Sequence, residues 1–98
     1  MNVSFAIPVF NEEKSLEELY EKITIQMNSI TKNYDIVFID DGSSDNSFDK
    51  LKKLNMKDSR VKVIKLRKNF GKSIALYEGF KFAQGNVIFT MRTGIADR

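Results

Sequence analysis

The 98-residue sequence contains no cysteine and no histidine. The absence of cysteine excludes a disulfide scaffold, a thiolate metal site and thiol catalysis. The absence of histidine removes the usual general base and the commonest metal ligand, so acid–base chemistry would rest on carboxylates, lysines or tyrosines. No apolar run approaches the roughly 18 residues of a membrane span, and no signal peptide is visible at the amino end. We therefore expect a soluble, cytoplasmic protein.

The chain is long enough for one compact domain, and its net charge of +3 conceals a strong asymmetry. Residues 1–49 carry ten acidic residues against three lysines, whereas residues 50–72 carry ten basic residues against Asp58 alone. One interpretation of residues 50–72 is a basic surface that is exposed to solvent. Attraction to phosphates, on a ligand or on an anionic membrane surface, is the functional alternative. Nucleic acid is a poorer candidate partner, because aromatic residues do not alternate with the basic residues at a spacing that would stack on nucleobases.

Strand-like and helix-like segments alternate along the chain. Apolar and β-branched runs predict four strands, at residues 3–9, 36–39, 61–66 and 87–91. Apolar residues at helical spacing predict three helices, at about residues 16–29, from Ser43 or Ser44 to Leu54, and from Gly71 to Gly85. For the first helix, Ser15 and Glu18 predict a capping box. Its predicted inner face is Leu16, Leu19, Tyr20, Ile23, Met27 and Ile30.

The order βαβαβαβ predicts an α/β fold with a Rossmann-like, doubly wound and mostly parallel sheet. The usual strand order in such a sheet is 3-2-1-4. That order would place the loops after the first, second and fourth strands around one crevice, which is where ligands bind in this class of fold.

Acidic and turn-forming residues follow the first two predicted strands. The first strand leads into Ile7-Pro8-Val9-Phe10-Asn11-Glu12-Glu13, and the second into Asp40-Asp41-Gly42-Ser43-Ser44-Asp45. Because both loops leave the carboxyl ends of strands, about one βα unit apart, they point to a nucleotide pocket. The dinucleotide-type Gly-x-Gly-x-x-Gly and the Walker loop are both absent, so those two nucleotide-binding classes lose support.

Two aspartates end the second predicted strand, and we include both among the candidate nucleotide-binding residues. Asp40 is nearest to the strand and is expected to face the ligand, where it would accept hydrogen bonds from a nucleobase N–H or from ribose hydroxyls. Asp41 fits a turn with Gly42 and Ser43 that caps the second helix, so a structural role is favoured for it.

Further candidate residues follow the first and third predicted strands. Pro8 and Phe10 offer apolar faces that could wall a base, or they end the strand and pack in the core. Glu12 could contact the ligand or complement the dipole of the first helix. Lys72 follows Gly71 at a helix start, which would suit a phosphate or a base carbonyl, and a charged solvent loop is the alternative.

These motifs, taken in order, resemble the amino-terminal half of family 2 glycosyltransferases, in the branch that moves a sugar from a nucleotide to a polyprenyl phosphate. The family's Pro-Val-Tyr-Asn-Glu-Glu appears as Pro8 to Glu13, and its Val-Asp-Asp-Gly-Ser as Ile39 to Ser43. Its Arg-Asn-Phe-Gly-Lys appears as Arg67 to Lys72, with Lys68 inserted. The segment from Gly85 to Met91 matches the strand before the family's metal motif.

The resemblance implies a GT-A fold in which five residues hold the nucleotide of a UDP- or GDP-sugar. These residues are Pro8, Phe10, Glu12, Asp40 and Lys72. The resemblance also implies Mg²⁺ or Mn²⁺, because the family's next motif is Asp-x-Asp and a hard cation neutralises the leaving diphosphate. The matching positions here hold Arg92, Thr93 and Gly94, and neither Arg92 nor Gly94 offers a carboxylate. The Asp-x-Asp ligands are therefore absent, and we predict no metal ligand.

The resemblance implies that residues 1–91 are the nucleotide-sugar-binding half of a family 2 domain. Residues 92–98 are then a divergent tail, and we interpret it as the end of a truncated, frameshifted or deliberately cut chain. The implied reaction is inverting sugar transfer to a polyprenyl phosphate, peripherally at the inner face of the membrane. No catalytic residue is predicted, and we expect the chain alone to be inactive. The alternative function is a catalytically inactive nucleotide-binding or scaffold module. The free edge of the fourth strand also predicts self-association.

Overall fold

The computed structural model describes residues 2–85 and 87–90. Its elements alternate along the chain: strand β1 (Val3–Val9), helix α1 (Leu16–Asn28), strand β2 (Tyr34–Asp40), helix α2 (Ser47–Lys57), strand β3 (Val61–Lys65), helix α3 (Lys72–Phe82) and strand β4 (Val87–Thr90). The sheet has the order β3-β2-β1-β4, and each neighbouring pair is parallel. The predicted fold class and strand order are confirmed. Met91 and the predicted divergent tail lie outside the described residues.

The main hydrophobic core lies between the sheet and helices α1 and α2. All seven residues of the central strand β2 are buried, as expected for a strand that is covered on both faces. Full burial of a Leu, Ile or Phe side chain contributes about 1.5–3 kcal/mol relative to exposure. The core combines alternate strand residues with the inner helix faces: Val3, Ile7, Val9, Leu16, Tyr20, Ile23, Met27, Tyr34, Ile36, Phe38, Leu51, Leu54 and Val61.

Helix α3 covers the opposite face of the sheet with small residues. Ala75 packs against Val37 and Ile39. A Cβ atom added to Gly79 would lie 2.6 Å from Cδ1 of Ile39, so glycine allows the helix to approach the sheet closely. Most of the apolar residues that predict this helix therefore lie off its buried face, although Leu76 packs partly buried against this core. The other large apolar side chains of α3 are exposed: Ile74, Tyr77, Phe80 and Phe82.

The start and inner face of α1 differ from the prediction. Ser15 makes no side-chain capping bond, because its hydroxyl donates backwards, to the carbonyl and carboxylate oxygens of Glu12 at 3.3 and 3.2 Å. Glu18 pairs with Lys22 one turn later, with 3.4 Å between Oε2 and Nζ. The predicted capping box is therefore wrong. Ile30 lies beyond the helix end and is exposed, so it does not belong to the core.

Helix α2 begins later than its sequence predicts. It starts at Ser47, with Asn46 in the capping position, rather than at Ser43 or Ser44. The two predicted capping serines instead hydrogen-bond the loop that follows β1. The predicted helix start is wrong because the sequence pattern treats Ser43 and Ser44 as caps of their own helix. In the structure these two serines join the loop after β2 to the loop after β1.

A hydrogen bond between Tyr20 and Asp58 joins α1 to the end of α2. The Tyr20 hydroxyl donates to Oδ2 of Asp58 at 2.8 Å. Burial and then the contact with Asp58 raise the pKa of Tyr20 to about 12. Because the folded pKa lies above the ordinary value of about 10, the bond stabilises the protein fully below that pH and is lost as the pH rises through 12.

We therefore expect Tyr20 to stay protonated at about pH 11, where an ordinary tyrosine is mostly ionised. An alkaline titration followed by tyrosine absorbance measures the ionisation of Tyr20 alone when the curve of the Tyr20→Phe variant is subtracted from that of the parent. Urea unfolding at neutral pH should show that Tyr20→Phe is less stable by about 1 kcal/mol. A Tyr20 midpoint near pH 10 would contradict the assignment.

Candidate functional site

The loops after β1, β2 and β3 form the candidate site. They span residues 10–15, 41–46 and 66–71. Because the strands are parallel, all three loops leave the same side of the sheet, here termed the carboxyl edge. The loop after β4, predicted to join them, lies outside the described residues. The six candidate residues all lie at or beside the carboxyl edge: Pro8, Phe10, Glu12, Asp40, Asp41 and Lys72.

Asn11 joins the first loop to the second. Its backbone N–H donates to Oγ of Ser43 at 2.9 Å, and its Oδ1 accepts from the N–H groups of Ser44 and Asp45 at 2.8 and 3.3 Å. Asn11 has a φ of 52°, in the left-handed region that asparagine tolerates better than most residues. The sequence predicted no role for Asn11, although an asparagine in the loop after a strand was the available signal.

A second set of hydrogen bonds also joins the first loop to the second loop and to the start of α2. The N–H of Glu12 donates to Oγ of Ser47 at 2.9 Å, and the N–H of Glu13 donates to Oδ2 of Asp45 at 3.3 Å. In return, the N–H of Asn46 donates to Oε1 of Glu13 at 3.0 Å. Burial acts to raise the pKa of Asp45, but the hydrogen bonds from Ser47 and Glu13 outweigh it and hold that pKa below its usual value. The ionised carboxylate therefore helps to hold the two loops together.

Asp41 connects the second loop to the third. Its carboxylate accepts the N–H groups of Phe70 at 2.8 Å and Gly71 at 3.0 Å, and the side-chain amide of Asn69 at 3.3 Å. Asp41 is 3% exposed, and both of its oxygens are used. These bonds hold the third loop, so the expectation that Asp41 caps α2 is wrong.

Gly42 permits the close approach of the second and third loops. Its φ is 78°, which L side chains rarely adopt. A Cβ atom at this position would lie 2.4 Å from the carbonyl carbon of Lys68 and 2.5 Å from the backbone nitrogen of Asn69. Backbone atoms cannot yield as a flexible side chain can, so only glycine fits here.

Asp40 is the last residue of β2, and one oxygen of its side chain has no partner among the described residues. Its side chain is fully buried, and Oδ1 accepts the N–H of Ser43 at 3.2 Å. Oδ2 is buried without a hydrogen-bond partner among the described residues. An unsatisfied buried carboxylate oxygen is destabilising, so Oδ2 of Asp40 is a candidate acceptor for a donor that lies outside the described residues.

The other candidate residues lie at the same edge of the sheet as Asp40. Pro8 lies opposite Ile39 in the sheet register, one residue before Asp40. Phe10 is 45% exposed, although it directly follows a buried strand. Glu12 is partly buried and accepts the hydroxyl of Ser15. Within the described part of the chain, no hydrogen bond or ion pair joins the candidates to one another. The arrangement is an open, polar edge with an aromatic side chain at its rim.

The described residues do not test whether the chain uses a divalent metal. The described residues contain no group of three or more acidic side chains that could hold a metal ion. The positions that match the family's metal motif, Arg92 and Gly94, lie outside the described residues, and neither residue type supplies a carboxylate. Binding of Mg²⁺ or Mn²⁺ therefore remains an expectation from the resemblance.

Two substitutions at Asn11 should separate its backbone conformation from its hydrogen bonds. We expect Asn11→Gly to lower the free energy of unfolding by about 1 kcal/mol, because it loses the side-chain bonds but keeps the left-handed backbone. Asn11→Ala should lose about 1 kcal/mol more, since alanine disfavours positive φ. Urea unfolding measures both values. Equal stability of both variants and the parent would show that Asn11 does not hold the loops.

Known proteins resemble this chain in sequence. The family model described as "Glycosyl transferase family 2" matches residues 4–91. An uncharacterized glycosyltransferase of Bacillus subtilis, YkcC, is 37% identical over 94 residues, which is 96% of this chain and 29% of that protein. The undecaprenyl-phosphate 4-deoxy-4-formamido-L-arabinose transferase of Proteus mirabilis is 39% identical over 90 residues, which is 91% of this chain and 28% of that protein.

Solved structures resemble it in fold. S. aureus TarS (residues 1–349) superimposes with a TM-score of 0.82 and 26% identity, over 94% of this chain and 27% of that 1–349 chain. Structures of the same protein with UDP-GlcNAc and with UDP give the same TM-score. The chain spans less than a third of the length of these relatives. The GT-A type of α/β fold is confirmed. Because the family model matches most of its length, the chain belongs to glycosyl transferase family 2.

Proposed function

We propose that residues 1–91 bind the nucleotide sugar for a family 2 transferase that glycosylates a polyprenyl phosphate. The observation that carries this proposal is Oδ2 of Asp40, which is buried at the end of β2 without a hydrogen-bond partner among the described residues. The similarity to an undecaprenyl-phosphate transferase supports the acceptor class. The similarity to TarS, which was solved with UDP-GlcNAc and with UDP, favours a UDP-sugar over a GDP-sugar as donor.

The base and ribose would contact the centre of the carboxyl edge. Asp40 would accept a hydrogen bond from a base N–H or a ribose hydroxyl, which would satisfy its free oxygen. Phe10 and Pro8 would cover a face of the base, because Phe10 is half-exposed and Pro8 lies beside the same strand end. The bonds of Asn11 and Asp41 would keep these groups in place before the ligand arrives.

The diphosphate would contact the third loop. Arg67, Lys68 and Lys72 are exposed there, and Lys72 is the first residue of α3, where the helix dipole also favours an anion. Positive charge at this position would stabilise the leaving nucleoside diphosphate as the acceptor oxygen attacks the sugar in an inverting transfer. The described residues would thus bind and orient the donor.

A calorimetric titration with UDP, GDP and uridine tests the proposal. UDP should bind more tightly than GDP, and uridine more weakly than UDP because it lacks the diphosphate. Lys72→Gln should weaken UDP binding by about fivefold and leave uridine binding unchanged, since it removes one charge-assisted contact. Lys53→Gln, which removes an exposed charge from α2, is the control and should change neither. Failure of the parent chain to bind UDP would refute the proposal.

We also propose a peripheral position at the inner face of the membrane. None of the described helices is long and apolar enough to cross a bilayer. The support is the excess of basic residues in residues 50–72, which would attract anionic lipid headgroups. Co-sedimentation with vesicles that contain anionic lipid, compared with neutral vesicles, measures this attraction, and equal binding to both would contradict it.

Self-association through β4 is a further proposal. In the described part of the chain, β4 pairs only with β1, and Ile88 and Phe89 are 39% and 51% exposed. An unpaired apolar edge recruits another strand, so a dimer paired through β4 is expected. Ile88→Lys should lower the dimer fraction in sedimentation equilibrium, because a charged edge resists pairing.

Ile25→Lys is the matched control for this experiment. Ile25 is 72% exposed on α1, so the same change of charge there should leave the dimer fraction unaltered. A monomer at high concentration, or an equal effect of both variants, would contradict pairing through β4.

A further inference from the structure

A cavity lies at the opposite side of the sheet, at the amino ends of the strands. Its volume is about 320 Å³, and it is bordered by residues at the starts of β1, β2 and β3 and by the turn before β4. Strand β1 has seven residues. At about 3.3 Å per residue, roughly 20 Å separate this cavity from the carboxyl edge. The cavity is therefore independent of the nucleotide site proposed above.

Three cationic side chains line the cavity: Lys32, Arg60 and Lys62. Arg60 is held in position on two sides, because its Cζ lies 4.5 Å from the centre of the Tyr34 ring and its Nε donates to Oδ1 of Asp58 at 3.2 Å. These contacts leave its two terminal amino groups without a partner among the described residues. A fixed guanidinium plane with free N–H groups matches the geometry of a phosphate.

The acidic side chain of the cavity already has partners. Asp35 is 7% exposed, and its two oxygens accept the Ser4 hydroxyl and Nζ of Lys62, the latter at 3.4 Å. Ser4 in turn accepts the N–H of Gly85 at 2.7 Å. Lys32 makes no ion pair within the described residues. Three cations against Asp35 and the neighbouring Asp58 leave one net positive charge.

We propose that this cavity binds the phosphate group of a small, polar phosphorylated molecule. The unengaged N–H groups of Arg60 and the ammonium group of Lys32 would hold the phosphate through charge-assisted hydrogen bonds. The remaining lining is rich in amide and hydroxyl groups, from Asn2, Asn33 and Ser59, which suit the hydroxyls of a sugar-like body rather than an acyl chain. The volume is at the lower end of the range of about 300–1,000 Å³ for small-ligand pockets.

Titration of the isotopically labelled chain with inorganic phosphate, monitored by amide NMR shifts, tests the proposal. The shifts should concentrate at Asn33, Ser59, Arg60 and Gly85, with an affinity in the millimolar range. Glucose phosphate should bind more tightly than inorganic phosphate, and glucose alone should not bind at this site. Sodium chloride at equal ionic strength should produce no such shifts, because screening alone is not site-specific.

Lys32→Gln should weaken phosphate binding by about fivefold, since it removes one of the two cationic side chains proposed to hold the phosphate. Lys53→Gln removes the same charge from the outer surface of α2 and should have no effect. Equal losses in both variants, or shifts spread over all basic residues, would overturn the proposal. Asp40→Asn should leave phosphate binding at this cavity intact, so failure of the nucleotide site and failure of this site are distinguishable.

Discussion

Asp40→Asn is expected to weaken UDP binding by about tenfold to a hundredfold, the range that loss of a buried hydrogen bond to a charged group produces. The amide oxygen of asparagine can keep the bond from the N–H of Ser43. The amino group of asparagine would then take the place of Oδ2. A hydrogen-bond donor of the protein would face the base N–H or ribose hydroxyl of the ligand, which is also a donor, so the bond would be lost. Calorimetry with UDP measures the loss, and unchanged affinity would remove Asp40 from the site.

The same substitution should leave the unliganded protein at least as stable as the parent. The reason is that Oδ2 of Asp40 has no hydrogen-bond partner among the described residues, so the substitution removes no hydrogen bond at that atom from the unliganded protein. Asp41→Asn is the matched comparison, since it replaces one carboxylate oxygen by an amino group, so one of the backbone N–H groups of Phe70 and Gly71 loses its acceptor. We expect it to lower the free energy of unfolding by about 1–3 kcal/mol and to weaken UDP binding less than Asp40→Asn does.

Gly42→Ala should destabilise the protein by about 3 kcal/mol or more and abolish UDP binding. Two effects add: positive φ is unfavourable for alanine, and the new Cβ would lie 2.4 Å from a backbone atom of Lys68. Relief of that clash requires the second and third loops to separate, which would also break the bonds of Asp41.

Gly71→Ala is the control for Gly42→Ala. Gly71 also has a positive φ, 101°, but a Cβ atom there would meet nothing within 4 Å. We expect this control to lower stability by only about 1–3 kcal/mol, through backbone strain alone. Urea unfolding gives both values. Equal losses would show that the two loops are not packed as closely as the structure places them.

The architecture was predictable because each strand and helix carries its own local pattern. The continuous apolar run at 36–39 predicts a strand that is buried on both faces, and β2 is fully buried. The helix starts were not predictable in the same way. Ser43 fits a helix cap locally, but its hydroxyl accepts the backbone N–H of Asn11 in the loop after β1, more than 30 residues away in the chain. A pattern within one helix does not reveal a partner from another loop.

The location of the candidate site was predictable for a similar reason, whereas its internal bonding was not. The parallel order alone brings the ends of β1 and β2 to one edge, so Phe10 and Asp40 were expected to be neighbours. The contacts of Asp41 are with residues 28 to 30 positions later, and only the folded chain shows them. The buried face of α3 was also missed, because small residues such as Ala75 and Gly79 give no apolar pattern.

The most direct test of the nucleotide-binding role is an amide NMR map of the labelled chain during a titration with UDP. We expect saturable shifts that cluster on the three loops of the carboxyl edge, with the largest changes at Phe10, Ser43 and Gly71. The bonds between these loops predict that all three respond together, with one affinity. Shifts confined to α2 or to the amino ends of the strands, or no shifts at saturating UDP, would contradict a nucleotide site at this edge.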